Sequence, residues 1–97
     1  MNPEQKEFFR LAILRVLDLN RTRYGLGTVA LVHHLAQFDY SSRKFGGDMK
    51  AFESELMDAL QYLTDKGLIE EALKVVSREN RAWRITTDGI AYIDSQG

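Results

Sequence analysis

Cysteine is missing altogether from these 97 residues, so neither a disulfide nor a thiolate metal site can reinforce the fold. That absence fits a reducing compartment. No stretch approaches the roughly 18 uninterrupted apolar residues of a membrane span. The most apolar run, Phe8 to Leu17, is broken by Arg10 and Arg15 and preceded by Glu4 and Glu7, which does not fit a signal peptide. A cytoplasmic location, with no membrane partner, is the expectation. Neither sign of charge dominates. Thirteen basic against 14 acidic residues leave a formal net charge of −1, so the distribution of charge matters more than its sum. Repeats, low-complexity tracts and domain linkers are also lacking.

Catalytic signatures are equally scarce. There is no cysteine nucleophile and no serine in an elbow motif. Gly25-Leu26-Gly27 has neither the preceding strand nor the third glycine of a nucleotide-binding loop. His33 and His34 are adjacent on a helix and point about 100° apart, so they cannot share a metal as an i, i+4 pair could. Glu55 and Asp58 stand at i, i+3, but acid–base catalysis needs a concave site that an outward helical face does not supply. The expectation is a protein that is not an enzyme and carries no cofactor or metal.

What is present suits one small core. Apolar residues make up 44% of the chain, and at this length residues 1–97 form a single domain that buries about two-thirds of its unfolded surface. The clearest pattern runs from Asp48 to Glu71. Met49, Phe52, Leu56, Ala59, Leu60 and Leu63 follow the three-and-four spacing of a helix with one buried face. Asp48 suits the N-cap, and Gly67 suits the stop because it adopts positive φ without steric cost.

Before it, Pro3 to Leu19 reads as a first helix, with proline early and acids in the first turn. Phe8, Phe9, Ala12, Ile13, Val16, Leu17 and Leu19 cover about half its circumference. Leu11 and Leu14 fall outside that half. Either the chain's own C-terminal segment covers them, or they form a homodimer interface. Thr28 to Gln37 reads as a second helix with Thr28 as N-cap. The connector Phe38 to Gly47 is long for a helix-turn-helix, leaving room for a short extra turn of helix or a mobile loop.

After Gly67, Leu68 to Arg78 reads as a strand, Glu79-Asn80 as a turn and Arg81 to Thr86 as the returning strand. Alternation sends Trp83 and Ile85 inward and Arg84 outward. Thr86 or Thr87 then caps a short last helix that returns Ile90, Ala91 and Ile93 to the core. The expected core is Phe9, Ile13, Val16, Leu31, Leu35, Phe52, Leu56, Leu60, Leu63, Leu68, Trp83, Ile85 and Ile90.

The order of three helices, a two-stranded wing and a short C-terminal helix resembles the winged helix-turn-helix superfamily. The phrases that carry the resemblance are ALQYLTDKGLIEE at Ala59 to Glu71 and AWRITTDGIAYI at Ala82 to Ile93. They look like the "L-x-x-L-x-x-x-G-L-I" and "Y/W-x-I/L-T-x-x-G" stretches of bacterial winged-helix regulators. The expected class is mainly α with a small β-hairpin wing. The resemblance implies a third helix entering the major groove of double-stranded DNA and a wing reaching a neighbouring backbone, although such domains also bind RNA or dock proteins.

The charges pull in two directions. Asp48 to Lys66 holds five acids against two lysines, a formal −3 that repels phosphates. Lys74 to Arg84 holds four basic residues against Glu79, a formal +3, and Arg21, Arg23, Arg43 and Lys44 add basic loops. On the DNA reading, a small transcription regulator, Arg78, Arg81 and Arg84 meet the backbone with Arg43 and Lys44 assisting. Lys50, Ser54 and Gln61 then face base edges. On the alternative, the domain docks a protein partner with a basic surface through its acidic third helix.

Overall fold

The computed structural model describes residues 2–22, 24–38, 40, 42–72 and 81–96, with residues 42 and 44 described by their backbone alone. Helix α1 spans Pro3–Leu19. Asn2 and Gln5 open it reciprocally: the Asn2 side chain accepts from the Gln5 backbone N–H, and the Gln5 side chain accepts from that of Asn2. Strand β1 is Leu26–Gly27, followed by α2, Thr28–Gln37. A single 3-10 turn, Ser42–Phe45, leads to α3, Met49–Asp65. Strands β2, Ile69–Glu71, and β3, Ala82–Ile85, precede α4, Thr87–Gln96. The described chain is therefore mainly helical, with a three-stranded antiparallel sheet in the order β1-β3-β2.

The strongest sequence signals hold in detail. Asp48 caps α3 by accepting from the backbone N–H groups of Lys50 and Ala51 at 3.0 and 3.2 Å. Gly67 takes φ +73 just after the helix, and the Leu68 N–H bonds back to the Leu63 carbonyl at 3.0 Å. Thr86 is the cap of α4, accepting from the Gly89 N–H while donating its hydroxyl to the Gly67 carbonyl. That pair of bonds ties the start of α4 to the end of α3.

One correction concerns the second helix, and one strand lies just before it. Gly27, not Thr28, is the N-cap of α2, because Thr28 is already helical and its hydroxyl donates to the Arg81 carbonyl at 3.2 Å. Leu26 and Gly27, in the connection between α1 and α2, form a short strand. They pair with Trp83 and Ala82, which makes β3 the central strand.

Helix α1 is the hub of the core, packing against α2, α3, α4 and β3. A helix with neighbours on so many sides is buried beyond a single stripe. Leu14 is accordingly 0% exposed, whereas Phe8 is 54% and Leu19 73% exposed. The buried half of α1 is therefore rotated from the arc that includes Phe8 and Leu19. Around it lie Leu31 and Leu35 of α2, Phe52, Leu56, Leu60 and Leu63 of α3, and Ile69, Trp83 and Ile85 of the sheet. Each such side chain is worth about 1.5–3 kcal/mol once buried. Leu68 and Ile90 pack on this core while staying half-buried.

The long connector is an aromatic clasp. Tyr40 stacks on Phe9 at 5.2 Å between ring centroids, and Phe45 of the 3-10 turn lies 5.5 Å from Phe52. Of the two alternatives for this connector, the short helical turn is the one present, anchored through Phe45. On the hairpin, β2 and β3 pair antiparallel with Ile69 opposite Ile85, Glu70 opposite Arg84, and Glu71 opposite Trp83. Leu73, Val75 and Val76 of the expected strand, and the Glu79-Asn80 turn, lie outside the described residues.

Candidate functional site

Helix α3 and the β2–β3 strands carry most of the residues expected to act. On α3, Lys50, Ser54 and Gln61 are all exposed. The Gln61 Nε2 donates to Asp65 Oδ1 one turn later at 2.8 Å. Exposed around these three are Glu53, Asp58 and Asp65, and the charges exposed on the helix sum to −2 with Lys50 included. Met49 and Met57 are also exposed, at 50% and 38%. An acidic face interspersed with methionine repels phosphate and offers adaptable apolar contact to a protein.

The sheet rearranges the charge count of the β2–β3 segment. Arg84 Nε lies 2.6 Å from Glu70 Oε1, and Arg81 Nε lies 2.9 Å from Glu71 Oε1. The first pair stands directly across the two strands; the second is diagonal, because Glu71 faces Trp83 and Arg81 is two residues further along the same face. Arg81 also places its guanidinium carbon 5.0 Å from the Trp83 ring centroid. With Glu70 and Glu71 counted, residues 68–84 carry a formal +1 rather than the +3 of Lys74 to Arg84 alone. Reading β2 and β3 as a pair in sequence could have found this, because the pairing brings Glu70 opposite Arg84 and Glu71 diagonal to Arg81.

Arg43 is exposed on the 3-10 turn. Lys44 stands beside it, its side chain outside the description. Arg78, Lys74 and Arg23 lie outside the described residues. The structure therefore places Arg81 and Arg84 at the β2–β3 pair but on opposite faces of it, Arg81 on the face of Trp83, and leaves Lys50, Ser54 and Gln61 on another element.

The expected dimer residues separate. Leu14 belongs to the core and presents no surface to a second copy, so it is removed from that interface. The reason is the crowding of α1 described above: the neighbours of that helix cover the side on which Leu14 lies. Leu11 is half-buried and lines a surface hollow of about 350 Å³ with Phe8, Arg15 and Phe38. His33 and His34 lie 6.0 Å apart between ring centroids, nearly perpendicular.

No helix among the described residues is long and apolar enough to cross a membrane. No protein-family model, curated protein or solved structure matches the chain.

Proposed function

We propose that the chain is a winged helix used as a protein-docking module, with the exposed face of α3 meeting a basic partner surface. The observation that carries this reading is the composition of that face: Glu53, Asp58 and Asp65 beside Met49 and Met57, with Lys50 as the one exposed cation of the helix. Long-range attraction to a basic partner steers the encounter, and the methionines supply contact area once water is expelled. The helix order and the paired β2 and β3 strands support the winged architecture.

A second reading, a DNA-binding regulator that grips the backbone with its wing, is favoured by the exposed positions of Arg43 and Lys50. Solvent-exposed ion pairs hold their partners by no more than about 1 kcal/mol, so phosphates can compete for Arg81 and Arg84. Titration separates the two. Labelled random-sequence duplex and a labelled lysine-rich amphipathic peptide are each titrated with the protein at low and moderate salt. Docking requires peptide binding that weakens when Glu53 and Asp58 become glutamine, with no detectable duplex binding. Duplex affinity that falls steeply with salt, with a smaller slope after Arg81→Ala and Arg84→Ala, overturns docking in favour of DNA.

A further inference from the structure

Where the C-terminal end of α3 meets α1 and α4, the surface opens into a hollow of about 230 Å³. Its apolar wall is made by Leu63 and Leu68 with the rings of Tyr62 and Tyr92. Arg10 lies over the Tyr62 ring, its guanidinium carbon 3.6 Å from the centroid, and the Lys66 ammonium lies 5.6 Å from the same ring. Glu7 completes the lining.

The charges in the hollow do not cancel. One oxygen of Glu7 accepts from the Tyr92 hydroxyl. The other is 3.9 Å from Arg10 Nη1, beyond hydrogen-bond reach. Two cations therefore face one carboxylate already engaged by a phenol. Arg10 is set by its stack on Tyr62, so its planar fork of donors is oriented before a ligand arrives. The volume sits just under the roughly 300–1,000 Å³ of sites for drug-sized ligands, which selects something smaller.

We propose that this hollow binds a small planar organic anion, an aromatic carboxylate whose rings lie against Leu63, Leu68 and the two tyrosines. Its carboxylate accepts from Arg10 and Lys66 in charge-assisted hydrogen bonds. Neither the Glu53–Asp58 part of α3 nor the wing arginines line the hollow, so the site is independent of the docking reading.

Amide NMR spectra of the whole chain, titrated with naphthalene carboxylate, test it. Saturable shifts are expected at the amides of residues 62–68 and 90–93, with a dissociation constant of about 0.1–1 mM. The neutral naphthalene methanol, of the same shape, should bind at least about tenfold more weakly, and acetate, which has the charge without the rings, should leave those amides in place. Arg10→Gln should weaken binding about tenfold. Lys66→Gln changes an exposed residue, spares the core, and should weaken it about threefold. The proposal is overturned if no saturable shift appears at those amides up to about 10 mM carboxylate. It is equally overturned if the alcohol binds as well as the acid, or if both variants keep the full affinity.

Discussion

Glu70 and Arg84 stand directly opposite each other on β2 and β3, with Arg84 Nε 2.6 Å from Glu70 Oε1. The pair joins Arg84 to a neighbour 14 positions earlier in the chain. Its side chains are 39% and 50% exposed, so its strength is that of a surface ion pair, about 0–1 kcal/mol. Glu70→Gln together with Glu71→Gln should therefore lower unfolding free energy in urea by under about 2 kcal/mol in total. If the β2–β3 segment is a DNA contact, the same double variant should raise low-salt duplex affinity several-fold by removing two carboxylates that compete with phosphate. On the docking reading, duplex binding stays undetectable.

Trp83 is 2% exposed at the centre of the sheet, flanked by Leu26 on one side and Glu71 on the other. Trp83→Ala should cost about 3–5 kcal/mol, the range for truncating a large buried aromatic. Thermal unfolding followed by circular dichroism would show it, and an unchanged midpoint would contradict the burial.

Gly89 has no room for a side chain. A Cβ there would lie 2.1 Å from the Leu68 carbonyl oxygen and 2.6 Å from Ile85 Cγ1. The first of these is backbone and cannot swing aside. Gly89→Ala should destabilise by at least about 1–3 kcal/mol through overpacking, despite the higher helix propensity of alanine. Gly46→Ala makes a useful contrast, since nothing lies within 4 Å of a Cβ there and its cost comes from φ +68 alone.

Tyr92 donates its hydroxyl to Glu7, joining α4 to α1 across 85 positions. That hydrogen bond, with burial second, raises the Tyr92 pKa above its ordinary value. The protonated phenol is the form favoured by folding. The stabilisation is therefore complete below the unfolded tyrosine value of about 10 and is lost as pH rises through the folded one. Tyr92→Phe should cost about 1 kcal/mol near neutral pH, and the difference from the parent chain should shrink above pH of about 10. Denaturation at neutral and alkaline pH measures both; a difference that grows with alkalinity would reverse the sign.

Much of this molecule is written in local pattern. The extent of α1, the cap at Asp48, the stop at Gly67 and the inward pair Trp83 and Ile85 all follow from preferences acting within a few residues. Such preferences need no knowledge of what packs on the other side. Tertiary structure decided the rest. Leu14 is buried and Phe8 exposed because α1 has four neighbouring elements, and a helical wheel carries no information about their positions. Strand β1 is two residues long, too short to show alternation, and exists because an edge of β3 was there to pair with. Arg81 and Arg84 lose their standing as an unopposed basic patch because sheet register brings Glu71 and Glu70 within reach. The hollow beside Tyr62 gathers residues from α1, α3 and α4 that are up to 85 positions apart. Periodicity places a residue on a face; which atoms meet that face is set by long-range packing, and charge and shape complementarity act there.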